Sequence, residues 1–192
     1  CADMCPEKER YLRVIQKRIS PYECDSYGFM VPDITVKDYS RSAADQEEPL
    51  PHELRPAGVL RRTMNYLIGK IAEEIPTKNE DLSVWYDFLW NRTRAIRKDI
   101  TQQMMVNETA VVLNEECARF HIFASHRLCK LDANEFDQKM NTENLSKCLQ
   151  SLRHLYEDLG KRGVYCESEA EFRAYDVMLN LNDSYISRLE KA

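Results

Sequence analysis

The scarcity of residues that interrupt helices is the feature that most limits what this chain can fold into. Its 192 residues include only 5 glycines and 7 prolines, and every proline precedes residue 77. From Gly58 onward, apolar side chains recur at steps of three, four or seven, the spacing of amphipathic helices. The alternation that is typical of β-strands does not appear. We therefore predict an all-α fold.

The proline-poor part predicts a series of helices joined by short loops. The expected helices cover residues 57–75, 82–105, 108–128, 132–140 and 143–159, followed by one opened by a capping box of Ser168 and Glu171 and a last one after Asp183. Such a series is typical of antiparallel helix pairs stacked side by side, a short α-solenoid. An irregular helical bundle is the alternative architecture.

The N-terminal part is less regular. Residues 6–19 predict a first helix with an apolar stripe of Tyr11, Leu12 and Ile15. Residues 22–56 lack sustained periodicity and contain four prolines, so we expect an extended arm, because proline fixes its own backbone and restricts its neighbour's. We accordingly divide the chain into residues 1–56, a helix and an extended arm, and residues 57–192, a helical scaffold.

The second half of this arm is polar, acidic and rich in proline. Asp45, Glu47 and Glu48 precede Pro49 within residues 39–56. One interpretation is an arm that faces a partner. The other is an internal strap whose acids are neutralised by arginines of the following helices. The sequence leaves both open.

Charge, cysteine usage and hydropathy argue against a basic nucleic-acid-binding domain, a disulfide-bonded secreted protein and a membrane-spanning protein. The formal net charge of −5 lacks the basic excess that is typical of nucleic-acid-binding domains, so any such contact must come from a local patch. The seven cysteines are odd in number and contain no C-x-x-C pair. We interpret them as reduced thiols of a cytosolic or nuclear protein. No apolar run is long enough for a membrane span, and no signal-peptide pattern appears.

Residues that would carry catalysis are not grouped in any recognised pattern. His121 and His126 are five residues apart, which does not fit the H-E-x-x-H metal motif, and no glycine-rich phosphate loop exists. Cys1 and Cys5 could bind a metal together with one of these histidines, but we interpret the pair as ordinary thiols. We predict no enzyme activity, no catalytic or metal-binding residues and no cofactor.

One helical segment carries a candidate nucleic-acid surface. Arg94, Arg97 and Lys98 are neighbours on a helix at i, i+3 and i+4, and Trp90 lies one turn before Arg94. A basic strip beside an aromatic ring suits contact with phosphates. The alternative is a solvated face whose arginines pair with nearby acids. Arg92 lies on another face, where we expect an internal ion pair.

Several long blocks of the sequence resemble one known family. They are MCPEKER at residues 4–10, YSRSAADQEEPLPHELRP at 39–56, WYDFLWNRTRAIRKDIT at 85–101, ARFHI at 118–122, ENLSKCLQSLR at 143–153 and SEAEFRAY at 168–175. Together they resemble the SAC/GANP family, and in detail its animal members. The resemblance covers nearly the whole chain, and residues 22–38 and 107–116 carry little of it.

The resemblance implies a fold and a function. The fold is the N-terminal part of the family's PCI/TPR-like α-solenoid, without the winged helix that ends this domain in the family. The implied function is that of a non-catalytic scaffold subunit of the transcription and export complex 2 (TREX-2), which couples transcription to messenger-RNA export. The alternative is a PCI-type scaffold of another assembly, resembling the proteasome lid, a translation factor or a centrosomal complex, without RNA binding.

The same resemblance implies partners and a location. The partners are a second PCI-domain protein, a small acidic subunit of the proteasome-lid type, nuclear-pore components and, in the assembled complex, messenger RNA. No membrane contact is implied. The expected location is the nucleus with its envelope and pores, and also the cytoplasm. No partner-binding residue can be named from the sequence.

Overall fold

A computed structural model describes residues 1–41 and 49–181, and six α-helices and no β-strand lie in these ranges. The predicted all-α class is confirmed. The helices are α1 (Glu7–Ile15), α2 (Ala57–Tyr66), α3 (Asn79–Gln102), α4 (Glu108–Arg127), α5 (Gln138–Gly160) and α6 (Glu169–Leu179). Single 3-10 turns form at Pro21–Glu23, Pro32–Ile34 and Pro51–Glu53. No helix of the described part is long and apolar enough to cross a membrane.

The chain forms two compact units, Cys1–Met105 and Val106–Ala192. The first unit therefore contains the N-terminal arm (residues 22–56) together with α1, α2 and α3. Our division between residues 56 and 57 stays a prediction about domains. The last predicted helix, after Asp183, lies outside the described residues.

The core of the first unit lies between α2 and α3. Their inward faces bury Leu60, Met64, Trp85 and Ile96 almost completely. The predicted helix 57–75 changes character along its length, because α2 continues as π-helical turns at Leu67–Ala72. There the Trp85 indole of α3 donates a hydrogen bond of 2.8 Å to the Ile71 carbonyl. A backbone carbonyl of the π-helical turns thus satisfies a buried side-chain donor of α3.

A buried carboxylate, that of Glu23, ties the arm to α1 and α3. It is fully buried and accepts hydrogen bonds from the guanidinium groups of Arg13 in α1 and Arg92 in α3. Its second oxygen also accepts a hydrogen bond of 3.0 Å from the Val36 backbone amide. The predicted internal ion pair of Arg92 is thus confirmed, and it joins segments far apart in sequence.

A second buried carboxylate repeats this arrangement near the end of α3. The Asp99 side chain is fully buried and accepts hydrogen bonds of 2.7 Å from Lys37 Nζ and from Arg55 Nε. Gln103 then donates to the Arg55 carbonyl at 2.8 Å. The described parts of the arm are therefore held as an internal strap against α3.

The second unit consists of antiparallel helices. The Glu115 carboxylate of α4 accepts a hydrogen bond of 2.7 Å from the Tyr156 hydroxyl of α5. Farther along, the His121 ring lies 2.8 Å from the Asn141 side-chain oxygen. From the first pair to the second, the residue number increases in α4 and decreases in α5. The two helices therefore run in opposite directions. These buried polar pairs fix the register of α4 against α5.

The structure corrects two local predictions and shows the orientation of α1. Residues 132–140 do not form a separate helix, because Asp132 closes only one turn and residues 138–140 are the start of α5, which is capped by the Asp137 carboxylate. Ser168 does not form the predicted capping box: its side chain caps nothing, and Glu171 instead accepts hydrogen bonds from Arg119 of α4. The apolar stripe of α1 faces outward rather than into a core.

We predict that Glu23→Ala lowers the free energy of unfolding of the first unit by about 3 kcal/mol, because it leaves two buried guanidinium groups without their anion. Urea unfolding followed by tryptophan fluorescence measures this, since both tryptophans lie in α3. The control is Glu73→Ala, at an exposed position, which should change stability by less than about 0.5 kcal/mol. Equal effects would contradict the assigned role of Glu23.

We also predict that Asp99→Asn releases the strap. The amide keeps the shape of the carboxylate but lacks its charge, so Lys37 and Arg55 lose their shared anion at a cost of about 3 kcal/mol. Limited trypsin digestion should then cut after Lys37 faster than in the unchanged protein. Asp87→Asn, at an exposed position on the same helix, is the matched control and should leave the cleavage rate unchanged.

Candidate nucleic-acid interface

The predicted basic strip lies on one side of α3. Its cations, Arg94, Arg97 and Lys98, and the neighbouring Trp90 are all half-buried rather than fully solvated. Helical spacing places Arg94 one turn from both Trp90 and Lys98. The structure thus brings the three predicted residues onto one face, together with an arm residue that the sequence did not single out, Tyr39.

Tyr39 lies against two of these cations. The central guanidinium carbon of Arg94 lies 4.1 Å from the centroid of the Tyr39 ring and 5.1 Å from the centroid of the Trp90 ring. Lys98 Nζ lies 5.8 Å from the Tyr39 centroid and donates a hydrogen bond of 2.7 Å to the Ser40 carbonyl. Cations attract the faces of aromatic rings. Arg94 is therefore held between two rings, and Lys98 holds the arm backbone.

The donors of this strip are only partly satisfied within the described residues. The Nε atom of Arg97 and the indole nitrogen of Trp90 are buried and make no hydrogen bond to any described residue. Burial lowers the pKa of Lys98, the neighbouring Lys37 lowers it further, and Asp99 opposes both. The arrangement gathers positive charge in a half-buried setting, where pairing with an anion is stronger than in open water.

A cavity of about 380 Å³ lies beside the strip, between α1, the arm and α3. Its charged lining has three lysines and four carboxylates, namely Lys8, Lys37, Lys98, Glu9, Asp38, Glu53 and Asp99. Lys8 already pairs with Glu53, and Lys37 with Asp99. The cavity is therefore not suited to an anion. Any phosphate contact of the strip is expected at Arg94 and Arg97 rather than inside the cavity.

The remaining candidate residues are not part of this strip. Cys5 is buried, burial raises the pKa of its thiol, and Cys1 is half-buried. His121 is buried against Asn141, and His126 is exposed on the same helix. Within the described ranges, no group of three or more His, Cys, Asp or Glu side chains could hold a metal ion. All seven cysteines are free thiols.

The two interpretations of the arm have different outcomes. Residues of its described parts, such as Lys37 and Arg55, form internal contacts, as expected of a strap. The acids Asp45, Glu47 and Glu48 lie outside the described residues.

The role of Tyr39 was missed because its contacts join positions about fifty residues apart, and helical periodicity carries no information on such pairs. The sequence offered one indication that Tyr39 has a role, its position at the start of the polar block 39–56.

Comparison with known proteins identifies relatives along nearly the whole chain. A family model described as the SAC3/GANP family matches residues 4–191. The chain is 50% identical over 188 residues to Protein xmas of Drosophila melanogaster, which covers 96% of this chain and 9% of that protein. It is 36% identical over 190 residues to SAC3 family protein 1 of Schizosaccharomyces pombe, covering 98% of this chain and 18% of that protein.

A plant relative shows the same pattern. SAC3 family protein B of Arabidopsis thaliana is 35% identical over 189 residues, which cover 95% of this chain and 11% of that protein. The chain thus spans less than a fifth of the length of these relatives. The resemblance of the sequence blocks to this family, including an animal member, is confirmed. The chain belongs to the SAC3/GANP family.

Proposed function

We propose that this chain is part of a non-catalytic scaffold subunit of TREX-2 that couples transcription to messenger-RNA export through nuclear pores. The observation that supports this most strongly is the family match over residues 4–191, with 50% identity to Protein xmas across nearly the whole chain. An all-helical chain suits the role, because packed helices offer long outer faces for binding other molecules.

The proposal includes partners and a location. The partners are a second PCI-domain protein, a small acidic subunit of the proteasome-lid type and nuclear-pore components. The location is the nucleus, its envelope and its pores, with the cytoplasm as a second site. RNA is bound in the assembled complex, and Arg94, Arg97 and Lys98 contribute phosphate contacts there. Support for this last point comes from Arg94, whose guanidinium lies against the Trp90 ring, and from Arg97, whose buried Nε is unpaired within the described residues.

The partners are tested by purifying the full-length protein under native conditions. We expect the second PCI-domain protein, the small acidic subunit and nuclear-pore components to co-purify in fixed ratios. Recovery of proteasome-lid or ribosomal subunits instead would favour the alternative, a PCI-type scaffold of another assembly without RNA binding.

The RNA contact is tested by replacing Arg94, Arg97 and Lys98 with glutamate in the assembled complex. Binding of a single-stranded RNA oligonucleotide should weaken at least about tenfold, because three phosphate contacts become repulsive. The slope of log affinity against log salt concentration should flatten by about 2, at roughly 0.7 per phosphate contact. An unchanged slope would exclude these residues as phosphate contacts.

Two controls distinguish a loss of phosphate contacts from a displacement of the N-terminal arm. Lys130, Lys139 and Lys147, which are exposed in the second unit, receive the same change to glutamate and should leave the slope unaltered. Tyr39→Ala removes the ring that Arg94 and Lys98 hold and changes no charge. If Tyr39→Ala flattened the slope as much as the triple replacement, the cations would act through the arm and not on RNA.

A further inference from the structure

Two aromatic rings lie against the guanidinium of Arg94, and they come from different parts of the chain. The centroid of the Trp90 ring lies 5.1 Å from the central guanidinium carbon, and the centroid of the Tyr39 ring lies 4.1 Å from it. Trp90 belongs to α3, the helix that carries Arg94, whereas Tyr39 belongs to the arm. Trp90 therefore stays beside the guanidinium whatever the arm does, and Tyr39 is the removable neighbour.

The backbone at Tyr39 is attached to α3 independently of the tyrosine ring. The Tyr39 amide donates a hydrogen bond of 2.8 Å to Asn91 Oδ1, and Lys98 Nζ donates one of 2.7 Å to the Ser40 carbonyl. The Tyr39 hydroxyl, in contrast, makes no hydrogen bond to any described residue. The ring can therefore turn away from Arg94 while these backbone contacts persist.

The position of the Tyr39 ring suits an unpaired base of a single-stranded nucleic acid. Such bases stack on aromatic side chains and on the planes of arginine guanidinium groups. The phenol ring of tyrosine and a pyrimidine base are both single planar rings, so a pyrimidine matches the space that the Tyr39 ring fills beside Arg94. A base in a duplex is already stacked inside the helix and does not offer its face in this way.

We propose that Arg94 is the stacking platform for one unpaired base of the bound RNA, and that the Tyr39 ring occupies this position until the base replaces it. Base stacking at Arg94 rests on the proposed function and adds to it, because that function assigns only phosphate contacts to the strip. The face of the guanidinium carries the base, and its N–H edge stays available for a phosphate. Arg97, whose buried Nε has no partner among the described residues, and Lys98 bind adjoining phosphates.

Tyr39 and a base compete for Arg94, which determines how each side chain affects affinity. The Tyr39 ring must leave before a base can enter, so the ring lowers the affinity for RNA. A contact between a cation and a tyrosine ring is weaker than a stacked base, so the ring yields to RNA rather than excluding it. Removing the ring therefore strengthens RNA binding, whereas removing the guanidinium plane weakens it.

The first test replaces Tyr39 in the full-length protein, within the assembled complex, and measures the affinity for a short uridine oligonucleotide by fluorescence anisotropy. Tyr39→Ala should bind about two- to fivefold more tightly, the strength of the ring contact that the base no longer displaces. Tyr39→Phe keeps the ring and should bind as the unchanged protein does. Weaker binding by Tyr39→Ala would show that Tyr39 itself holds the RNA, and equal binding that its ring covers no site. Either result overturns the proposal.

The second test separates base stacking from phosphate contact at Arg94. Arg94→Lys keeps the positive charge and loses the planar guanidinium. Its affinity for the uridine oligonucleotide should fall at least about fivefold, because stacking is lost. Its slope of log affinity against log salt concentration should not change, because the charge remains. Arg97→Lys is the matched control and should stay within about twofold of the unchanged protein, since a lysine still binds phosphate as a point charge.

An abasic oligonucleotide of the same length, with the same phosphates and no bases, distinguishes failure of this proposal from failure of the proposed function. The unchanged protein should prefer the uridine oligonucleotide, and Arg94→Lys should reduce this preference at least about fivefold. If the preference persists in Arg94→Lys while the triple glutamate replacement flattens the salt slope, the strip binds phosphates only. The stacking platform is then wrong and the proposed RNA contact stands. If the triple replacement leaves the slope unchanged, both are wrong.

Discussion

Two fully buried carboxylates, Glu23 and Asp99, determine how the N-terminal part of this chain folds. Each is surrounded by cations from segments far apart in sequence: Arg13 and Arg92 for the first, Lys37 and Arg55 for the second. A buried ion is strongly unfavourable without its counter-ion, so these segments are stable only when they meet. The described parts of the arm thus acquire a defined path against α1 and α3 through these ion pairs.

The orientation of α1 follows from the first of these clusters. A helix with Tyr11, Leu12, Val14 and Ile15 on one side would ordinarily turn that side inward. Burying Arg13 against Glu23 fixes the opposite side inward, and the apolar side must then face out. The same ion pair therefore stabilises the unit and creates an apolar outer face. A rule based on hydrophobic spacing alone gives the helix its correct position and the wrong orientation.

This distinction explains what could be predicted from the sequence. The helices α3 and α4 were predicted within a few residues, because apolar side chains at helical spacing bury one face along their whole length. The face that carries Arg94, Arg97 and Lys98 follows from the same periodicity. Pairings between distant residues were predicted only in part: an internal ion pair of Arg92 was expected and is present, but Glu171 binds Arg119 rather than capping α6. Tyr39 was missed for the same reason.

The basic strip on α3 makes contacts within the fold in addition to its proposed contacts with RNA. Arg94 and Lys98 hold Tyr39 and the Ser40 carbonyl, so part of their binding capacity is already used by the arm. Arg97 has no such contact in the described part of the chain, and its buried Nε remains available as a donor. A phosphate that drew Arg94 away from Tyr39 would loosen the arm at the point where it leaves the Asp99 cluster. Under the proposed function, phosphate binding and arm position are linked through this guanidinium group, and each changes the free energy of the other by the same amount.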